Sequence, residues 1–392
     1  MKKVKEVEVM ESLVSFEYPK KHDFKLKYLA HYGFIRSLCI RGQKERILEF
    51  SKSLKDRYEN FVQIGIGGSA LPLEASLRFL DKKGVMERFL SLDNIDPCRI
   101  ERVLSLDIDK TFFHVVSKSG STIEILAEFF VLKERLKPDQ IAFTTSEKGF
   151  LYELGMKEGI ELFFIPDEVG GRYSVFSPVG LIGLAFFGFN IDTFIEGAKT
   201  AVRAYRNGWD FPNDFVNFAI GAYQDNKNIL VMFAYKDYLY GIIDWFRQLW
   251  AESLGKDSKG QTPINALGVT DQHSQLQLYQ DGPKDKAIVF LDAPAVCDFE
   301  IKDDYGFGYL KGKSLSQIME IEKNSTMRAL KESGADVAHL KLTKDDEFSL
   351  GALLMGLMIA TAKAGKVLGV DPFNQPGVEL GKRYTKEALK NG

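Results

Sequence analysis

The sequence predicts an α/β fold with two lobes and mostly parallel sheets. Three observations carry this: apolar runs alternate with amphipathic stretches, the alternation repeats after about residue 190, and the apolar runs end in turns rich in glycine and hydroxyl residues. Strands separated by helices pair in parallel, because each helical crossover returns the chain to the end of the sheet where the previous strand began, and the helices then cover both sheet faces. No Pro- or Ser-rich linker divides the lobes. They are therefore expected to pack closely, with any site at the carboxyl ends of strands between them.

In the first lobe, residues 61–66 read as a strand ending in a glycine turn, and residues from about 70 to 83 as a helix. Residues 89–92 form a short strand candidate that runs into Asp93 and Pro97. Residues 112–116 are a buried strand, and the apolar residues from Ile123 to Phe130 recur at helical spacing. Residues 141–144 and 162–165 are two further strands. The second series reads as strand 228–235, helix 239–254, strand 286–291, a polar helix 314–332, strand 337–342 and a helix near 347–368. A tail from Lys382 reads as a helix ending at Gly392. The resulting division is a helical segment 1–45, a first α/β domain 46–188, a second 189–371, and a C-terminal loop and helix 372–392.

Composition narrows the classes. The chain of 392 residues is 45% hydrophobic and 27% charged, enough for two real cores. A net charge of −2 weighs against nucleic acid or an anionic membrane surface as partner. Cys39, Cys98 and Cys297 are scattered, with no CxxC pair, so no disulfide framework or zinc ribbon is expected and a cytoplasmic location fits. The first eight residues mix charges and lack the apolar core of a secretory signal. The greasiest segment, 348–362, falls short of the roughly 20 residues that span a bilayer and is read as a core helix. No His, Asp or Glu spacing calls for a metal.

The chemistry concentrates in six places. Ser117-Lys118-Ser119-Gly120-Ser121-Thr122 follows a strand and opens a helix. Unpaired N–H groups and the helix dipole make such a turn an anion site, hydroxyls add donors, and glycine allows close approach. A Ser- and Thr-rich N-cap is the plainer reading; the density of hydroxyls favours a phosphate monoester. The turn Gly65-Ile66-Gly67-Gly68-Ser69-Ala70 also fits a dinucleotide fingerprint, with Asp93 near the distance of a ribose-binding acid. Gly170-Gly171-Arg172 delivers a permanent forked cation that either stabilises an oxyanion or pairs with a surface acid. Gln248 and Glu252 share one helix face; such pairs are usually solvated, but a carboxylate desolvated beside Trp250 can act as a base. His273 sits in an amide-rich loop suited to proton transfer, whereas His22, His31, His114 and His339 read as strand, surface or packing residues. Residues 373–382 join two amides, an acid and Lys382 at a Pro-Gly turn, which also serves as an ordinary capping connector.

Taken together and in this order, GIGGS at 65–69, SKSGST at 117–122, DEVGGRYS at 167–174, QLWAESLGK at 248–256, DQHSQLQLY at 271–279 and FNQPGVELGK at 373–382 resemble the glucose-6-phosphate isomerase (phosphoglucose isomerase) family. The resemblance spans residues 60–385, and GGRYS and FNQPGVELGK are nearly diagnostic alone. It implies two sugar-isomerase-type (SIS) αβα sandwich domains plus a C-terminal helix, no cofactor, no metal and a homodimer with shared sites. It implies interconversion of glucose 6-phosphate and fructose 6-phosphate in glycolysis and gluconeogenesis. By motif, Ser69, Ser117, Ser119 and Thr122 would hold the phosphate, with backbone help from Gly68 and Lys118. Glu252 would be the base, Arg172 the enediolate stabiliser, and His273 the ring opener reaching in from the neighbouring subunit. Lys382 would act at the ring oxygen, and Gln248 and Gln375 would bind near the sugar. The chain departs from the family where Ala70-Leu71-Pro72-Leu73 replaces the usual Leu-Gly-Pro, and it is shorter than most members. A dual-specificity phosphoglucose/phosphomannose isomerase, a non-catalytic phosphosugar-binding protein and an NAD enzyme are the alternatives.

Overall fold

The structure, a computed structural model, describes residues 2–24, 26, 32–40, 42–82 and 84–391. His31, read above as a surface or packing residue, lies outside the described residues. In chain order the strands are β1 (Val14–Glu17), β2 (Asn60–Ile64), β3 (Phe89–Leu92), β4 (Thr111–Val116), β5 (Ile141–Thr145), β6 (Glu161–Phe164), β7 (Ile229–Ala234), β8 (Thr262–Leu267), β9 (Lys286–Asp292) and β10 (Asp336–Leu342).

They form two five-stranded sheets. The first has the order β3-β2-β4-β5-β6, every pair parallel. The second has the order β1-β10-β9-β7-β8 and is parallel except for β1, which lies antiparallel on β10. Every residue of β4 and β9 is buried, as parallel strands covered on both faces require. His114 in β4 is one of them: it is held by Thr144 (2.7 Å) and Gln63 (3.3 Å), and burial pushes its pKa down to about 3, so it is a neutral core residue.

Two strands escape the sequence pattern, each for a local reason. β8 carries Pro263, which argues against a strand, yet β8 is the sheet edge where a missing N–H is tolerated. β1 is four residues long, too short for periodicity to show, and it puts residues 14–17 of the expected helical segment into the second sheet. Helix Lys2–Leu13, which precedes it, is tied to the second lobe by Glu6, which accepts from Arg203 (2.8 Å).

Helix Glu347–Leu368 is the one helix among the described residues that is long and apolar enough to cross a membrane. The length criterion applied to 348–362 thus underestimates it, although 94% of its most apolar stretch is buried in the fold. The site follows from the first sheet's topology. From β2 the chain goes outward to β3 and then crosses back to β4, so a crevice opens between the carboxyl ends of β2 and β4. The two phosphate-loop candidates, 65–69 and 117–122, are the segments that leave those two strands.

Candidate active site

After β4 the chain makes a tight turn in which Gly120 has φ +65°, a left-handed conformation that costs other residues about 1–2 kcal/mol. The turn gathers three hydroxyls: Ser117 Oγ lies 2.9 Å from Thr122 Oγ1 and 3.5 Å from Ser119 Oγ, and Ser119 Oγ lies 3.4 Å from Thr122 Oγ1. Thr122 is the N-cap of helix Ile123–Lys133, but its side chain makes no capping hydrogen bond. The plain N-cap reading therefore does not account for this hydroxyl, and the amides of the first helical turn remain available to an anion. Lys118 turns its ammonium away, to the carbonyls of Asp167 (2.7 Å) and Val169 (2.9 Å), bracing the segment that leads to Arg172. Burial lowers its pKa.

The loop after β2 closes on that segment. A Cβ on Gly68 would stand 2.2 Å from Gly171 C and 2.4 Å from Arg172 N, so only glycine fits. Ser174 Oγ also donates to the Gly68 carbonyl (3.3 Å). Gly67 lies against helix Tyr240–Leu254 of the second lobe, where its Cβ would stand 2.8 Å from Gln248 Nε2. Backbone contacts thus fix the first glycine loop against the Arg172 turn, and the Gln248 side chain brings the helix of the second lobe against the same loop.

Arg172 is 2% exposed, and each of its nitrogens is engaged. Nε donates to Ser253 Oγ (2.8 Å), and Nη2 donates to the carbonyls of Pro372 (2.7 Å) and Asn374 (3.0 Å). Nη1 donates to Gln375 Oε1 (3.1 Å) and lies 3.1 Å from Glu252 Oε1. The other carboxylate oxygen of Glu252 accepts from Gln248 Nε2 (2.8 Å). Glu252 thus spans a cation and an amide, its side chain 28% exposed while Arg172's is 1% exposed. Trp250 does not supply the desolvation expected of it: it packs into the core against Phe215 and Phe246, and the buried guanidinium is Glu252's decisive neighbour. Lys256 closes the assembly from below, donating to the carbonyls of Ser253 (2.6 Å), Asp371 (2.6 Å) and Glu252 (3.2 Å). Burial and the nearby Arg172 lower its pKa.

A sequence model of the family Phosphoglucose isomerase matches residues 48–284. The glucose-6-phosphate isomerase of Rubrobacter xylanophilus is 38% identical over 382 residues, covering 90% of this chain and 88% of that protein. The chain belongs to the phosphoglucose isomerase family. The glucose-6-phosphate isomerase of Thermus thermophilus is 40% identical over 350 residues, 84% of each chain. A solved structure of a hypothetical protein, also from Thermus thermophilus, superposes with a TM-score of 0.84 at 36% identity, over 91% of this chain and 90% of that one. The glucose-6-phosphate isomerase of Chlamydia trachomatis superposes at 0.78 with 20% identity, over 99% of this chain and 83% of that one, a likeness of fold. The tagatose-6-phosphate ketose/aldose isomerase of Escherichia coli shares the architecture at 0.55 and 14% identity, over 87% of this chain and 92% of that one.

Within this phosphoglucose isomerase fold, the structure brings together Arg172, Glu252, Gln248 and Gln375, and places Gly68 against Arg172. Ser69 and the 117–122 hydroxyls leave adjacent strands. His273 and Lys382 stand apart from that cluster. His273 is exposed at the end of the turn Thr270–His273, and Lys382 is exposed on helix Glu379–Asn391, paired with Glu379 (2.9 Å). Asp93, the acid on which the dinucleotide reading depends, is taken up by Arg99. Ser253, Tyr173 and Lys256 are the site residues sequence reasoning missed. Ser253 and Lys256 follow Glu252 within the QLWAESLGK block, but spacing alone does not say that one meets a guanidinium and the other three carbonyls.

Proposed function

We propose that the chain interconverts D-glucose 6-phosphate and D-fructose 6-phosphate. The observation that carries this is the Arg172–Glu252 pair, a carboxylate against a buried guanidinium, with the Gly68 loop that leaves β2 packed on the Arg172 turn and the hydroxyl-rich turn leaving the neighbouring β4. The hydroxyls of Ser69, Ser117, Ser119 and Thr122, with the Gly68 and Lys118 amides, bind the substrate phosphate, and that remote binding energy positions the sugar. Glu252 takes the proton from C2 of the open-chain aldose, the electron pair moves into the C1–C2 bond, and the charge collects on oxygen as an enediolate. Arg172 stabilises that oxyanion. The proton on O2 passes to O1 and Glu252 returns its own proton to C1, so C1 is reduced as C2 is oxidised and no external electron acceptor takes part. Gln248 and Gln375 hold the sugar beside the base.

The protein works as a homodimer. The exposed His273 of the partner subunit enters each site and assists ring opening with Lys382, in keeping with His273 lying away from the cluster within its own chain. Three exposed free cysteines, Cys39, Cys98 and Cys297, suit a reducing cytoplasm. The direct test is an assay in which glucose 6-phosphate formed from fructose 6-phosphate is oxidised by an added NADP-dependent dehydrogenase. NADPH formation that depends on the protein is expected, and its absence overturns the reading. Mannose 6-phosphate in the same design tests a wider substrate range.

A further inference from the structure

Ser253 is fully buried one residue beyond Glu252, near the end of helix Tyr240–Leu254. Its hydroxyl accepts from Arg172 Nε at 2.8 Å and meets Tyr173 Oη at 3.0 Å, itself 1% exposed. A guanidinium in so dry a place is oriented by its acceptors, since a buried N–H without a partner is costly. The carbonyls of Pro372 and Asn374 take Nη2, and Ser253 takes the neighbouring Nε. Between them they leave Nη1 as the nitrogen presented to Glu252 and Gln375. The carbonyl contacts come from the 372–374 loop, which is held to the helix by Lys256 through Asp371. Ser253 is the acceptor that rides on the same rigid helix as the base.

We propose that Ser253 is a positioning residue for Arg172: its hydroxyl aims Nη1 at the place where the enediolate oxygen forms, so that base and oxyanion stabiliser are set by one helix. The inference rests on the isomerase reading above and goes beyond it. An interaction that matters as charge develops on the sugar oxygen is realised in the transition state, whereas the ground state is held by the phosphate cradle. Loss of the Ser253 hydroxyl is therefore read in kcat rather than in KM.

The test compares Ser253→Ala, Ser253→Cys and Ser253→Thr. Cys keeps the side-chain volume with a weak acceptor, and Thr keeps the hydroxyl. In the fructose 6-phosphate assay, Ala and Cys are expected to lower kcat about 10- to 100-fold, the span of one hydrogen bond to a buried cation, with KM within about threefold. Thr is expected to stay within about fivefold of the parent. Two inhibitors supply a readout that a merely structural role leaves unmoved. A phosphorylated hydroxamate that mimics the enediolate should lose affinity in Ala and Cys in step with kcat, and a phosphorylated polyol should not. Parental kcat in folded Ala or Cys, or equal losses for both inhibitors, overturns the proposal. If Ala fails to fold, Cys decides alone. A parent protein without isomerase activity would instead sink the function proposed above, so the two failures are distinct.

Discussion

Both carboxylate oxygens of Glu252 are engaged, one by Arg172 and one by Gln248. The two contacts fix the direction in which the carboxylate faces, and each oxygen keeps a lone pair free to accept a proton. Glu252→Gln keeps the shape and removes the base; kcat should fall about 10²- to 10⁴-fold with the thermal midpoint nearly unchanged. A variant within twofold of the parent would remove Glu252 from the mechanism. Gly68→Ala tests the backbone contact. Its Cβ would collide with the main chain of Gly171 and Arg172, which cannot swing aside as a side chain can. We expect a loss of about 1–3 kcal/mol in stability by denaturant titration, together with a large drop in kcat as Arg172 shifts. At this scale much was legible. The run of hydroxyls pointed to an anion site by itself, whereas the Gln248 and Glu252 pair and the double glycine before Arg172 carried meaning only within the ordered set of motifs. The partners of Arg172 were not legible, because Ser253, Pro372, Asn374 and Gln375 are remote from it in sequence and meet it only through packing.

Helix Ile123–Lys133 carries the hydroxyl-rich turn 117–122 at its amino end and buries Glu128 along its length. One carboxylate oxygen of Glu128 has no partner among the described residues. Burial raises its pKa from 4.5 to about 7, against the opposing pull of Arg99. Between those values the folded protein holds a proton that the unfolded chain has released, so stability falls as pH rises through that window. Glu128→Gln removes this cost. Its stability gain over the parent, measured by denaturant titration, should be small at about pH 5 and reach roughly 1–3 kcal/mol at about pH 8. A gain that does not grow with pH would show that the carboxyl is solvated. Ser119→Ala with Thr122→Ala, in the turn before the same helix, should raise KM for phosphorylated sugars by about 10-fold or more. Unchanged KM and kcat/KM would place the phosphate elsewhere. Strongly apolar elements such as β4, β7 and β9 were read from sequence to within a residue or two, because burial on both faces leaves a continuous run. β1 and β8 were not, since an edge strand satisfies weaker constraints than a central one.

Across the whole molecule, Glu252, Gln248 and Gln375 come from the second half of the chain, and the 117–122 hydroxyls and Arg172 from the first. Neither lobe carries the full set, which is why two-lobed alternation was readable while their mutual placement needed coordinates. In the homodimer proposed above, the exposed His273 extends this division to the partner chain. Equal amounts of Glu252→Gln and His273→Ala subunits, unfolded and refolded together, should give about half heterodimers, each with one intact site, and roughly a quarter of parental activity. Mixtures shown to contain heterodimers but no more active than their parents would reject the shared site. The placement of β1 has a consequence for how the protein is made. Its register partners, His339 to Leu342, are translated more than 320 residues after it, whereas the first sheet is complete once β6 at Glu161–Phe164 has emerged. On the ribosome the first lobe can close while Val14–Glu17 waits unpaired, and the second sheet gains its last edge only near the end of synthesis. Contacts so distant in sequence make folding slow. The late pairing of β1 with β10 is therefore the step at which a nascent chain is most open to capture by chaperones or by another unfinished copy.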